Sequence, residues 1–176
     1  MSILQIEGRC ALTGVPDVST PGIGRPVPDS GRPVAIALAM VALAGLGIAA
    51  YLTAVHYANV PLACSRQGPV DCGAVTHSSF SVVPGTQVPV TVPGMAWFAL
   101  SGLAALMAVR ASEARWLAAA HVAWSVLGIA VALYLVYAEL VVIHRICEWC
   151  SAVHLLILIT FALTLYRWQR VAMEEA

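Results

Sequence analysis

The sequence predicts an all-α integral membrane protein, a four-transmembrane-helix bundle with a long extracytoplasmic loop between the first and second helices. Three observations carry that class. Hydrophobic residues make up 60% of the 176 and charged residues 10%, where a soluble domain has roughly a quarter of its residues charged. Mean hydropathy is +0.85. Apolar runs then recur along the chain at about the ~20-residue length that crosses a hydrocarbon core. The formal net charge is zero, so nothing points to nucleic acid.

The elements follow in order. Residues 1–32 are polar and punctuated by Pro16, Pro21, Pro26 and Pro28 among glycines, a composition that predicts a disordered arm. The arm lacks the charged start, short apolar core and small-residue cleavage site of a secretory signal. Residues 33–170 form the bundle, with apolar runs at 34–57, 94–109, 116–142 and 149–166, and 171–176 form a tail. The second run is short and must borrow neighbours or thin the bilayer. The connection 58–93 is long, the one at 110–115 very short and the last one short. Within the long connection, 80–93 carries Pro84, Pro89 and Pro93 and no charge. It is too irregular to span and is expected on the outer surface as a lid, because non-helical backbone is tolerated at membrane depth only where protein or water satisfies it.

Four spans put both termini on one side. Arg9, Arg25, Arg32, Arg110, Arg115, Arg167 and Arg170 fall on that side and only Arg66 and Arg145 opposite, so the positive-inside rule makes the arm and tail cytoplasmic. The expected location is the cell inner (cytoplasmic) membrane, with the cysteine-bearing connections facing out. That is the oxidising side, where disulfides form and persist. Cys10, on the arm, is expected to stay a thiol without a role.

Cys147-Glu148-Trp149-Cys150 begins the last apolar run. Two thiols at i and i+3 on a helix start can close a disulfide, and the unpaired N–H groups and dipole of the first turn favour thiolate. Cys64 and Cys72 flank a short loop with a Gly68-Pro69 turn. By spacing alone that pair reads as a static staple or as a disulfide presented to a partner. A four-thiolate zinc site is a further alternative that the oxidising compartment suits poorly. Sulfurs exchange only where they can meet, and two pairs at one membrane face suggest an electron relay.

Other residues are weighed singly. Glu139, near the outer end of the third span, is either an intramembrane functional carboxylate or a group that reaches the interface, with Arg145 or His144 as partners in the first case. His144 and Arg145 could also lower the Cys147 pKa, although an outer-flank anchor is the plainer role. His121 is expected as a satisfied bundle contact. His56 and His77 flank the outer loop without metal-ligand spacing. Trp97, Trp116, Trp149 and Trp168 lie near span ends, as interfacial anchors do.

Taken together, Cys64-x7-Cys72-Gly73-Ala74-Val75-Thr76-His77-Ser78, then Val92-Pro93-Gly94, then Tyr134-Leu135-x-Tyr137-x-Glu139-Leu140-x-Val142-Ile143-x-x-Ile146-Cys147-x-Trp149-Cys150 closely resemble the vitamin K epoxide reductase family, above all its bacterial members. Gly47-Ile48-x-x-Tyr51-Leu52-Thr53 fits as well, and the resemblance covers about residues 34–168. It implies a bundle holding a membrane quinone (menaquinone, ubiquinone or vitamin K type) as substrate, with no metal. It also implies a separate extracytoplasmic partner of thioredoxin fold. Electrons would pass from the partner to Cys64, from Cys72 to Cys147, and from Cys150 to the quinone, supporting protein disulfide formation. Ser78 matches a loop serine that supports the relay, or else is a turn hydroxyl. Two positions depart from the epoxide-reducing members: Val90 stands where they have an asparagine, and His154 where they have a tyrosine. His154, one turn below Cys150, could still donate to a quinone oxygen. The missing asparagine counts against epoxide reduction more than against quinone reduction. The remaining alternatives are a quinone-epoxide reductase proper and a non-catalytic, disulfide-stapled membrane protein.

Overall fold

The structure, a computed structural model, describes residues 31–65, 67–110 and 115–174. Residues 1–30, which include Cys10, as well as Arg66 and most of the connection after Arg110, lie outside the described residues, while Gly31 and Arg32, expected in the arm, open the first helix. Four helices are long and apolar enough to cross a membrane, and among the described residues there is no strand. The chain is a multi-pass membrane protein. Its long helices are α1 (Gly31–Ala58), α3 (Thr91–Arg110), α4 (Arg115–Tyr137) and α5 (Glu148–Glu174), with the five-residue α2 (Cys72–Thr76) between the first two.

α1, α3 and α5 are longer than their apolar runs, and α4 covers its run only with the π-helical segment that continues it, for local reasons. Pro33 and Pro93 sit in the first turns of α1 and α3, where a missing N–H costs no helical bond. Including that turn brings α3 to 20 residues, about 30 Å at 1.5 Å per residue, so the bilayer need not thin to accommodate it. α1 stops where Asn59 turns left-handed at φ 54°. α4 runs on into a π-helical segment, Ala138–Ile143, which ends at His144 with φ 55°. α5 continues past the predicted end of its run through Glu174, taking in part of the expected tail, because Arg167 and Val171 are buried at 2% and 6% exposure.

α1 packs on α3 and α5, and α4 packs chiefly on α5. Close approach rests on two glycines, since a Cβ at Gly45 would overlap the Phe98 ring and one at Gly128 the Trp97 ring. Trp97 is therefore core rather than an interfacial anchor. Its indole N–H donates to the Trp124 carbonyl at 3.2 Å while Trp124 donates to the Trp97 carbonyl at 3.3 Å, clamping α3 to α4. The Thr53 and Thr91 hydroxyls join α1 to α3 at 2.7 Å, and Ser125 and Thr164 join α4 to α5 at 3.0 Å. Such bonds suit a bundle in lipid, where burial of apolar surface does not itself drive helix association. His121 is buried as expected, but among the described residues neither ring nitrogen has a hydrogen-bond partner.

The connection 59–90 is irregular and ordered by its own bonds. It holds α2, a 3₁₀ turn at Ser79–Ser81 and an isolated bridge between Val82 and Pro89. Pro89 is fully buried, whereas residues 84–88 are exposed and Pro93 belongs to the first turn of α3.

Candidate active site

The four cysteines meet at one end of the bundle. Cys64 and Cys72 form a disulfide with Cα atoms 6.2 Å apart. Cys147 and Cys150 are free thiols. Cys72, Val75 and Cys147 make one buried cluster, with Cys64, Cys150 and Trp149 packed against it.

Local chemistry builds this meeting. Val70 N–H donates to the Gln67 carbonyl at 3.1 Å, closing a turn in which Gly68 takes φ 61°. Pro69 is confined to negative φ, so the left-handed residue must be the one before it, and glycine adopts it freely. The turn lays the loop beside the C-x-x-C. Ile146 N–H donates to the Pro69 carbonyl at 3.1 Å and Asp71 N–H to the Ile146 carbonyl at 3.0 Å, a short parallel bridge. Asp71 then caps α2, its carboxylate accepting the Ala74 N–H at 3.0 Å. The capped turn starts at Cys72. A second strap lies on the Cys64 side, where the Trp149 indole donates to the Ala63 carbonyl at 2.8 Å and the Glu148 carboxylate accepts from both the Ser65 amide and hydroxyl. Glu148 and the two disulfide sulfurs lie within 4.8 Å of one another.

The lower pair is arranged for different reactivity at its two sulfurs. Cys147 is 0% exposed, and the Cys150 amide donates to its Sγ at 3.3 Å. A hydrogen bond from the Cys150 thiol holds the Cys147 thiol below the ordinary cysteine range, with the Cys150 and Trp149 amides adding to this and burial and the Glu139 charge opposing it. Neither His144 nor Arg145 contributes. His144 is exposed and its Nδ1 lies 3.1 Å from the Leu140 carbonyl.

Cys150 faces a cavity of about 260 Å³, walled also by His154, Glu139, Ser78, Phe80 and Val90. Glu139 is 6% exposed, and its Oε2 accepts the Cys147 amide at 3.4 Å. It is turned inward, away from the interface, and meets His144 and Arg145 only through its backbone carbonyl. His154 is buried at 8% exposure. Ser78 lines the cavity, but its hydroxyl donates to the Val75 carbonyl at 2.7 Å, as a turn hydroxyl does. Sequence reasoning missed Glu148, Ser65 and Asp71. The only signal for them was position, an acid in a helix's first turn and an aspartate one residue before a short helix.

This assembly of a loop disulfide on a dithiol whose Cys147 is buried and whose Cys150 faces a mostly apolar cavity suits thiol–disulfide exchange coupled to a hydrophobic acceptor. No curated protein matches the chain. The family model described as "Vitamin K epoxide reductase family" matches residues 36–165, a span that holds all four long helices in large part and every one of these site residues. The chain belongs to the vitamin K epoxide reductase family.

Proposed function

We propose that the protein is a membrane thiol:quinone oxidoreductase that reoxidises an extracytoplasmic thioredoxin-fold partner and reduces a membrane quinone, in support of protein disulfide formation. Family membership carries the coarser part, an oxidoreductase acting on thiols and quinone. The observation that carries the rest is the seating of the Cys64–Cys72 disulfide on the Cys147/Cys150 dithiol in one packed cluster.

The exchange sequence follows from access. Cys64 is part-exposed while Cys72 and Cys147 are buried at 1% and 0%, so a partner's thiolate attacks Cys64 Sγ and Cys72 leaves as thiolate. The partner's second thiol resolves the mixed disulfide and departs oxidised, leaving Cys64 and Cys72 reduced. Cys72 then attacks Cys147 of the Cys147–Cys150 disulfide, and Cys64 attacks Cys72 to release Cys147. The loop is again oxidised and the lower pair reduced. The Cys64–Cys72 disulfide and the free Cys147 and Cys150 thiols match that point of the exchange sequence, from which two electrons would pass to a quinone in the cavity beside Cys150. His154 stands one turn further along α5 in the same wall and supplies a donor to a quinone oxygen. Val90, also in the wall, offers no side-chain hydrogen bond, which favours a quinone over its epoxide as substrate.

A five-variant panel with two donors tests this. Cys64→Ala or Cys72→Ala should abolish oxidation of a thioredoxin-like protein while quinone reduction driven by a small dithiol largely survives. Cys147→Ala or Cys150→Ala should lose both activities, and Cys10→Ala neither. Equal loss with both donors in Cys64→Ala would make the loop pair a staple and end the relay.

A further inference from the structure

The relay moves electrons through sulfur, but it leaves one buried carboxylate unused. Glu139 occupies the π-helical segment, where the widened turn puts the adjacent residues Ala138 and Glu139 both inside, at 1% and 6% exposure. Its carboxylate accepts the Cys147 amide at 3.4 Å and interacts with the Cys150 thiol. It also walls the cavity that Cys150 faces. Ionisable groups at membrane depth are costly to keep and are by default functional.

Quinone reduction by this pair is a balanced exchange. Two S–H bonds break and one S–S bond forms between Cys147 and Cys150. Two electrons and two protons go to the quinone, whose two carbonyl oxygens become hydroxyls. The nucleophile is the thiolate and not the thiol, so the Cys150 proton must leave its sulfur as that sulfur reacts.

Resting on the quinone-reductase reading, we propose that Glu139 is the base that takes the Cys150 proton and delivers it to the nearer quinone oxygen. The Cys147 amide anchors one carboxylate oxygen in the wall that Cys150 shares. The other titratable groups lining the cavity are His154 on α5, His56 on α1 and His77 after α2, while Cys147, His144 and Arg145 lie between the π segment and α5. Cys147, whose sulfur the Cys150 thiol hydrogen-bonds, must shed its own proton in the same exchange and so cannot carry this one away. Among the described residues no hydrogen bond joins any of those histidines to Cys150, whereas the Glu139 carboxylate shares the cavity wall with Cys150 and interacts with its thiol. Position selects the carboxylate.

The test uses purified full-length protein in nanodiscs, dithiothreitol as donor and a short-chain isoprenoid naphthoquinone as acceptor, with rates followed across pH. Glu139→Gln keeps an oxygen to accept the Cys147 amide but cannot take a proton. Its kcat should fall about 100-fold at neutral pH, the lower end of what a positioned acid–base group supplies, while KM for the quinone changes little. The deficit should shrink as pH rises and solvent removes the thiol proton instead. Glu139→Asp, which keeps the base at a longer reach, should recover part of the rate with a wild-type-shaped pH profile. It also serves as the test if Glu139→Gln does not fold. A Gln variant at wild-type rate, or one slowed by the same factor at every pH, overturns the proposal, as does an Asp variant whose profile shows no base. Failure of the wild-type protein to reduce quinone would instead remove the quinone-reductase reading, and this proposal with it.

Discussion

Cys147 shows how far a single residue's chemistry depends on its nearest neighbour. An isolated thiol titrates at about 8.5, and full burial alone would push it higher because the thiolate is desolvated. Here the Cys150 thiol bonded to its sulfur outweighs burial and brings the value down. The sign of the consequence is fixed: removing the donor destabilises the thiolate and raises the Cys147 pKa. In protein lacking Cys10, Cys64 and Cys72, ultraviolet thiolate absorbance against pH should therefore show Cys147 ionising below the ordinary range, and Cys150→Ala should move that midpoint upward. A midpoint unchanged or lowered in Cys150→Ala would mean that the backbone amides alone hold the thiolate. The C-x-x-C itself was legible in the sequence, because its two sulfurs are three residues apart on one turn and need no tertiary information. Glu148 binding Ser65 was not, since 83 residues separate them and only the folded loop brings them together.

Among the elements, helix boundaries and helix contacts differ in the same way. The apolar runs located all four long helices, but hydropathy ends at the first polar residue while the helix does not. The first turns of α1 and α3 and the last turns of α5 were thus left out, and the π segment after α4 has no compositional mark at all. Inward-facing residues were harder still, because in a membrane helix both faces are apolar and periodicity carries little information. Trp97 read as an interface anchor and is core; Glu139 read as either and is buried. The glycines make a direct test of the helix contacts. Gly45→Ala would place a Cβ in the Phe98 ring, whereas a Cβ at Gly47, two residues away on α1, meets nothing within 4 Å. Overpacking costs roughly 1–3 kcal/mol, and alanine in place of glycine otherwise favours a helix. Thermal unfolding in detergent should show a lower midpoint for Gly45→Ala and no loss for Gly47→Ala. Equal behaviour of the two would mean that α1 and α3 do not meet at Gly45.

For the whole molecule, the decisive property is that the Cys64–Cys72 disulfide and the Cys147 and Cys150 thiols gather at one end of the bundle. Seven of the nine arginines belong to the other side by chain order, and a segment flanked by arginine is retained in the cytoplasm. Oxidising power and charge then predict the same orientation, with the sulfur end out, toward the compartment in which a loop disulfide persists. Accessibility within the site sharpens the expected labelling. Cys72 and Cys147 are buried at 1% and 0% exposure, while Cys64 and Cys150 are part-exposed. In single-cysteine variants in reduced intact cells, a membrane-impermeant maleimide should modify Cys64 most readily and Cys72 and Cys147 slowly. Cys10 should react only after the membrane is made permeable. Cys64 lies in the loop that the proposed partner would reach, so its labelling from outside is what that proposal requires. Modification of Cys10 in intact cells with Cys64 protected would invert the bundle, place the disulfide in the reducing compartment, and leave the extracytoplasmic partner with nothing to dock on.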